Sequence, residues 1–261
     1  HYDMPITGLG WDLFTPAGIE FYGKLNFMKG GLIFSDLLTT VSRTYAREIR
    51  TPAFGCGLEG VLEDRSQDLH GVVNGIDYET WNPQKDPAIA HPYSADDPEP
   101  KAVCRATLRR ELGLEDGAGP VIGIITRLAE QKGQIDLLRA MPPIRAALPG
   151  ACLLIAGEGP WRGRLEEEAR RLGLADAVRF LGHRQDVLSV LRSLDLFVLP
   201  SLGEGLPQAL LEAMVLSLPV VATRCVGVEE TVTDGETGRL VPQHDPEAIA
   251  AAAIEVLRDE T

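Results

Sequence analysis

From residue 101 onward, short aliphatic runs alternate with amphipathic segments, and this alternation constrains the fold more than any other feature of the chain. The aliphatic runs predict strands at 121–126, 152–157, 178–182, 196–201 and 219–223. The segments between them predict helices at 134–147, 160–172, 185–193, 207–217 and 245–258. The pair Pro142-Pro143 should kink or break the first of these helices. Because apolar strands alternating with helices are typical of a parallel sheet covered on both faces, we predict a Rossmann-like α/β domain.

The first hundred residues do not share this alternation. The glycine-rich stretch 54–62 predicts a loop, and 70–77 predicts a short strand that ends in a turn at Asn74-Gly75. Residues 82–100 hold five prolines and almost no apolar pattern. A linker is therefore predicted in this last segment.

Charge and cysteine usage exclude several classes of function. The net charge of −13 and the pI near 4.9 argue against a broad nucleic-acid surface, which needs clustered cations. The sequence contains no run of about 18 apolar residues, so no transmembrane helix is predicted. The four cysteines are scattered and form no C-x-x-C pair, so we expect no disulfide framework and no zinc site. We predict a cytoplasmic protein that uses no metal and no cofactor.

Two cations follow the first predicted strand of the sheet. Arg127 and Lys132 lie five residues apart just past this strand. In open parallel sheets, ligands bind outside the carboxyl ends of the strands. An arginine fork and a lysine point charge at that edge suit a diphosphate. The alternative is a pair of ordinary solvated loop charges.

Two glutamates follow the strand at 196–201. Glu204 lies in a short loop bracketed by glycines, and a helix that starts near Pro207 carries Glu212. If the stretch were all helical, the eight-residue spacing would put the carboxylates about 12 Å apart. That distance is too long for an acid/base pair flanking one bond but fits a diphosphate with a sugar at each end. The alternative makes both residues surface charges.

Two further positions follow the strands at 152–157 and 178–182. The G-x-G around Gly157 is weak as a dinucleotide fingerprint and is better interpreted as a strand-to-helix turn that lines the same crevice. His183 ends the next strand and either faces a nucleobase or is a hydrogen-bonded loop histidine.

The motifs together resemble a known family. Residues 121–242 contain "TRLAEQKG", "IAGEGP", "FLGH", "PSLGEGLPQALLEAM", "PVVAT" and "VTDGETGRLV", and resemble the nucleotide-sugar domain of retaining GT-B glycosyltransferases. Residues 14–83 contain "FTPAGIEFYGKLNFMKGGLIFSD", "TTVSRTYAREI", "FGCGLEGVL" and "GVVNGIDYETWNP", and are similar to bacterial glycogen synthases and plant starch synthases. The second half is closer to the broader retaining family than to the glycogen synthases.

The resemblance implies a domain organisation. Residues 1–76 would be the remnant of an N-terminal acceptor-side domain of Rossmann-like fold, and 77–100 the hinge. Residues 101–261 would be the C-terminal nucleotide-sugar-binding domain without its last helices. We therefore expect a fragment that lacks most of the N-terminal domain.

The resemblance also implies a reaction, the transfer of glucose from ADP-glucose to the non-reducing end of an α-1,4-glucan with retention. Arg127 and Lys132 would neutralise the donor diphosphate, and Glu204 would hold hydroxyls of the donor glucose. The backbone at Gly205 and Leu206 would lie near the distal phosphate.

The remaining roles concern the rest of the donor. Glu212 would bind the ribose hydroxyls, Asn74 would approach the donor sugar from the hinge, and Gly157 and His183 would line the donor site. Two alternatives stay open: a retaining glycosyltransferase of another donor or acceptor specificity, and a non-catalytic nucleotide-sugar-binding fragment. No nucleic-acid or membrane partner is expected.

Overall fold

The computed structural model describes residues 4–258 except 78, 80, 88, 95, 98, 112 and 114–118. The chain divides into two compact units, residues 1–74 and 75–261. The predicted strands and helices of the second unit are present, with boundaries that differ by a few residues. Each unit is described by itself.

The first unit is built from short elements. Its described helices are α1 (Met4–Thr7), α2 (Phe27–Phe34), α3 (Arg43–Glu48) and α4 (Glu59–Asp64). Its described strands are β1 (Glu20–Phe21), β2 (Lys24–Leu25), β3 (Leu38–Thr40) and β4 (Leu69–Gly71). Strands β1 and β2 form an antiparallel hairpin, and β3 pairs in parallel with β4. Helix α4 begins inside the stretch 54–62 predicted as a loop, because Leu62 packs against Leu38 and Leu58.

The first unit also exposes most of the large apolar side chains found on the surface of the described residues. These are Ile6, Leu9, Trp11, Tyr22, Phe27, Met28, Phe34, Leu37, Val41, Phe54, Val72 and Val73. Its own buried cluster is small by comparison. An apolar surface of this extent on so small a unit is a feature of protein interaction sites and of aggregation-prone surfaces.

The second unit is a parallel sheet with helices on both faces. Its described strands are β5 (Val121–Ile125), β6 (Cys152–Ala156), β7 (Val178–Gly182), β8 (Leu196–Leu199), β9 (Val220–Thr223) and β10 (Arg239–Val241). Its described helices are α5 (Lys101–Glu111), α6 (Gln134–Ala147), α7 (Arg162–Arg171), α8 (Val187–Ser193), α9 (Gln208–Val215) and α10 (Pro246–Arg258). The strand order among the described residues is β10-β9-β8-β5-β6-β7, the doubly wound order of Rossmann folds.

Alternate residues of each strand enter different cores, as a two-sided sheet requires. In β8, Leu196 and Val198 join the cluster formed with α6, α7 and α10, whereas Phe197 and Leu199 join the cluster that contains α8 and α9 residues. The prediction of a parallel sheet covered on both faces is confirmed. Strand β10 was not predicted, because its "RLV" is too short to show a period and it is ordered by pairing with β9.

The proline pair was predicted to kink or break its helix, and the helix does not break there. Helix α6 runs from Gln134 to Ala147 with Pro142 and Pro143 inside it. A proline removes one backbone hydrogen bond and crowds the preceding turn. Here the helix buries Met141 before the prolines and Ile144 after them in the same apolar cluster, and this packing outweighs the lost hydrogen bonds.

The segment predicted as a hinge, 77–100, falls within the second unit. Asp86 accepts a hydrogen bond at 2.5 Å from Arg192 of α8, and both side chains are almost completely buried. Tyr93 is buried beside the same guanidinium, and Trp81 packs against the apolar cluster that includes Leu191. Buried charges need partners, so the Asp86–Arg192 ion pair ties this proline-rich segment to the sheet domain.

Candidate functional site

The site lies at the point where the strand order of the second unit reverses. Strands β5 and β8 are neighbours in the sheet although β6 and β7 come between them in the chain. The loop after β5 carries Arg127 and Lys132, and the loop after β8 carries Glu204. Parallel strands bring both loops to the same edge of the sheet, which is where such folds bind ligands.

Glycine allows these two loops to touch. Gly133 ends the turn after Lys132 in a left-handed conformation with φ of 64°, and a Cβ there would collide with the carbonyl oxygen of Pro200. The amide of Leu202 donates to the carbonyl of Gln131 at 2.8 Å. The backbones of the two loops are thereby fixed together, and the side chains they carry are brought within reach of each other.

Lys132, predicted to bind the diphosphate, and Glu204, predicted to bind the sugar, form an ion pair. The Nζ of Lys132 donates to the Oε1 of Glu204 at 2.7 Å, with side chains that are 20% and 11% exposed. The buried hydroxyl of Ser201 donates to the same oxygen, also at 2.7 Å. Thr223, at the end of β9, donates in turn to the carbonyl of Ser201.

A third loop closes over Glu204. Gly227 has a φ of 77°, and a Cβ at this position would collide with the carbonyl of Gly205. The neighbouring Cys225 is buried, and this burial, followed by the charge of Glu204, raises the pKa of its thiol to about 11. The thiol is therefore neutral at physiological pH and adds no charge to the site.

Arg127 stands apart from this ion pair. Its side chain is exposed, and no ion pair to it is found in the part of the chain that the structure describes. Its backbone carbonyl accepts from the Nε2 of Gln134 at 2.8 Å, and Gln134 is only 1% exposed. The buried amide thus holds the backbone of Arg127 while its guanidinium is available to an anion.

A pocket of about 350 Å³ adjoins Arg127 and contains two other predicted residues, Gly157 and His183. The carboxyl ends of β5, β6 and β7 line it, through Ile125, Thr126, Arg127, Ala156, Gly157, Glu158, His183, Arg184 and Val187. Gly157 has a φ of 131°, and a Cβ there would collide with the carbonyl of Thr126. The pocket has the size and the mixed lining of a small-molecule site.

The other predicted residues lie nearby or in the other unit. Gly205 and the buried Leu206 precede α9, and Glu212 lies in the second turn of that helix. Burial raises the pKa of the Glu212 carboxyl above its ordinary value. Asn74 is exposed and is the last residue of the first unit.

The sequence interpretation missed three residues of the site: Gln134, Ser201 and Thr223. Each is buried and makes at least one hydrogen bond to a residue of the loops that form the site. For Ser201 and Thr223 the available signal was a polar residue at the end of an apolar strand, whereas Gln134 is the first residue of α6. Nothing in the neighbouring sequence distinguished these side chains from surface polar groups. In the described residues, no group of three or more His, Cys, Asp or Glu side chains could hold a metal ion.

The sequence model of the family described as "Glycosyl transferases group 1" matches residues 119–259, which is more than half of the chain and includes the predicted site residues of the second unit. The chain belongs to the group 1 glycosyltransferases. A second model, described as "Starch synthase catalytic domain", matches residues 1–64 of this glycosyltransferase. The described residues contain no helix that is both long and apolar enough to cross a membrane.

Among curated relatives, the glycosyltransferase is 41% identical over 235 residues to a glycogen synthase from Alkalilimnicola ehrlichii, with 88% of this chain and 48% of the relative covered. It is 40% identical over 277 residues to a glycogen synthase from an Anaeromyxobacter species, with 98% of this chain and 56% of the relative covered. The chain therefore spans about half the length of these relatives.

Among solved structures, the fold matches the catalytic domain of starch synthase IV from Arabidopsis thaliana bound to ADP and acarbose. The TM-score is 0.86 at 28% identity, covering 97% of this chain and 56% of the solved one. The predicted GT-B type of fold is confirmed.

Proposed function

We propose that this chain provides the nucleotide-sugar site of a retaining glycosyltransferase of the glycogen and starch synthase type. The reaction would transfer glucose from ADP-glucose to the non-reducing end of an α-1,4-glucan. The observation that carries the proposal is the ion pair of Lys132 with Glu204 at the switch point of a doubly wound sheet, with the exposed Arg127 in the same loop as Lys132. The names of the relatives support the reaction, and the starch synthase solved with ADP supports the nucleotide.

Arg127 and Lys132 would neutralise the diphosphate of the donor. Arg127 is the exposed cation beside the pocket, whereas Lys132 already donates to Glu204 and retains two N–H donors for phosphate oxygens. Charge grows on the phosphate as the glycosidic bond breaks, and fixed cations stabilise this charge more than that of the bound donor. The pair would therefore contribute to catalysis as well as to binding.

The donor would lie along the edge of the sheet. Its base would occupy the pocket lined by Gly157 and His183, and its ribose hydroxyls would bind Glu212. The distal phosphate would lie near the backbone of Gly205 and Leu206, and Glu204 would accept from glucose hydroxyls. Asn74 would approach the sugar from the other unit.

The proposed chemical step needs no protein nucleophile, metal or cofactor. The acceptor hydroxyl oxygen forms the new bond to the anomeric carbon as the bond from that carbon to the phosphate oxygen breaks. The electron pair of the broken bond stays on the departing phosphate, which takes up the acceptor proton on the same face of the sugar. The configuration at the anomeric carbon is thereby retained. The cytoplasmic location stays a prediction from the sequence.

The test is calorimetric titration of the chain with ADP, ADP-glucose and UDP-glucose. We expect ADP-glucose to bind more tightly than UDP-glucose, and the double variant Arg127→Ala/Lys132→Ala to lose about 100-fold or more in affinity. The matched control is Arg170→Ala/Arg258→Ala, which removes the same charge at the carboxyl ends of α7 and α10, at the opposite edge of the sheet.

Each outcome decides between the candidate functions. Equal losses in both double variants would mean that only net charge matters, and would contradict the site. A preference for UDP-glucose that depends on Arg127 and Lys132 would support a retaining glycosyltransferase of another specificity. Incorporation of glucose into a glucan, absent from the Arg127→Ala/Lys132→Ala variant, would exclude a non-catalytic binding fragment.

A further inference from the structure

We propose that Ser201 is a positioning residue for the donor sugar. Its hydroxyl, together with Lys132, would hold one oxygen of Glu204 so that the other oxygen accepts from the hydroxyls of the transferred glucose. This inference rests on the proposed function, because it needs Glu204 to bind the sugar of the donor.

The position of Ser201 is set by the sheet. It follows β8 by two residues at the carboxyl edge and is completely buried. Its carbonyl accepts a hydrogen bond from the hydroxyl of Thr223, which ends the neighbouring strand β9 and also donates to the carbonyl of Leu199 at 3.3 Å. Ser201 is therefore braced from the adjacent strand before its own hydroxyl reaches Glu204.

The two groups that bind Glu204 divide its carboxylate into a held oxygen and an available one. Both the Oγ of Ser201 and the Nζ of Lys132 contact Oε1 at 2.7 Å. Across the described residues, no hydrogen bond to Oε2 of Glu204 is found. This oxygen is also not one of the fully buried atoms without a hydrogen-bond partner. Oε2 is thus accessible and can accept from a ligand.

The sugar supplies the matching chemistry. A hydroxyl donates readily to a carboxylate oxygen, and such charge-assisted hydrogen bonds are roughly twice as strong as neutral ones. Lys132 is a flexible side chain that would also turn toward phosphate, whereas the Ser201 hydroxyl is short and enclosed by its surroundings. Ser201 would then be the group that keeps Glu204 oriented when Lys132 engages the diphosphate.

The experiment compares two ligands that differ only by the sugar. ADP and ADP-glucose are titrated into the wild-type chain, Ser201→Ala, Glu204→Gln and a control, Ser193→Ala. Ser193 is equally buried and donates to the carbonyl of Val190 near the end of α8, at the other edge of the sheet. We expect Ser201→Ala to weaken ADP-glucose binding by about tenfold and to change ADP binding less than twofold. Ser193→Ala should leave both affinities unchanged.

The binding of ADP serves as the internal check on folding. If Ser201→Ala lowers the affinities for ADP and ADP-glucose by the same factor, or lowers neither, the positioning role of Ser201 is overturned while the nucleotide site stands. If Glu204→Gln leaves the preference for ADP-glucose over ADP unchanged, Glu204 does not hold the sugar and the inference falls with it. If the folded wild-type chain binds neither ligand, the proposed function and this inference are both overturned.

Discussion

The Nζ of Lys132 lies 2.7 Å from the Oε1 of Glu204, although 72 residues separate them in the chain. The cation predicted for the diphosphate and the carboxylate predicted for the sugar are therefore partners in the structure. A partly buried carboxylate next to a diphosphate would repel it, and Lys132 offsets that charge. Under the proposed function, Arg127, which is exposed beside the pocket, would be the cation available to an incoming phosphate.

The ion pair between Lys132 and Glu204 should be measurable as an energetic coupling. We expect Lys132→Met and Glu204→Gln each to lower the free energy of unfolding by about 2 kcal/mol, because each leaves a partly buried charge without its partner. The double variant should lose about 1 kcal/mol less free energy of unfolding than the sum of the two single losses. Urea unfolding of the four proteins without ligand measures this coupling, and strictly additive losses would show that the two side chains do not interact in solution.

Gly133 should resist substitution more than other glycines with a similar backbone. Gly173 has a φ of 69°, and a Cβ added there would meet no atom within 4 Å, whereas a Cβ at Gly133 would collide with the carbonyl of Pro200. We expect Gly173→Ala to cost about 1 kcal/mol, the cost of the left-handed conformation alone. Gly133→Ala should cost more than about 2 kcal/mol and weaken ADP binding, because the loops of Lys132 and Glu204 must separate.

Thermal or urea unfolding of both alanine variants, followed by ADP titration, checks this prediction. Equal stability losses at Gly133 and Gly173 would contradict the close contact of the two loops.

The Glu168 carboxyl should make stability depend on acid pH. Its hydrogen bond with Arg171, and the further one with Arg139 of α6, lower its pKa from 4.5 to about 2. Because the folded pKa lies below the unfolded one, the stabilisation is complete above pH 4.5 and is lost as the pH falls toward 2. Both arginines are well exposed, so Glu168→Gln should cost only about 1 kcal/mol at pH 7.

Denaturant unfolding of wild type and Glu168→Gln from neutral pH down toward the folded pKa measures the difference, which should shrink as the pH falls. Glu167→Gln is the control, since Glu167 is the exposed neighbour on the same helix. A difference that stays constant with pH would mean that Glu168 acts through packing and not through its charge.

Glu212 should show the opposite pH dependence. Burial raises its pKa above the ordinary value of 4.5, so the folded chain holds this proton more strongly than the unfolded chain does. Its ionisation therefore destabilises the fold as the pH rises through and above 4.5, and Glu212→Gln should raise the free energy of unfolding at neutral pH. The same change should weaken ADP and ADP-glucose about tenfold alike, because both ligands carry the ribose.

Unfolding at neutral and at mildly acid pH, together with titration of both ligands, tests this pair of effects. A variant that is stabilised but keeps its affinity for ADP would show that Glu212 does not bind the ribose.

Local sequence predicted the part of this protein that depends on local interactions. Apolar runs marked the strands and amphipathic runs the helices, since burial on one or both faces imposes a period on neighbouring residues. The rule that ligands bind at the carboxyl ends of parallel strands then pointed to Arg127, Lys132 and Glu204. The motifs that resemble retaining GT-B glycosyltransferases then predicted that the ligand of this site is a nucleotide sugar.

The tertiary structure alone decided how these residues meet. Strand order places β5 and β9 on either side of β8. The β5–β8 adjacency lets Lys132 reach Glu204, and the β8–β9 adjacency lets Thr223 brace Ser201. It also decided that β10 joins the sheet, that α6 continues through two prolines, and that Asp86 anchors a proline-rich segment to Arg192. Each of these features depends on contacts between residues far apart in the chain, and these contacts outweigh local conformational preference. Such contacts produce no periodic pattern in the sequence from which they could be predicted.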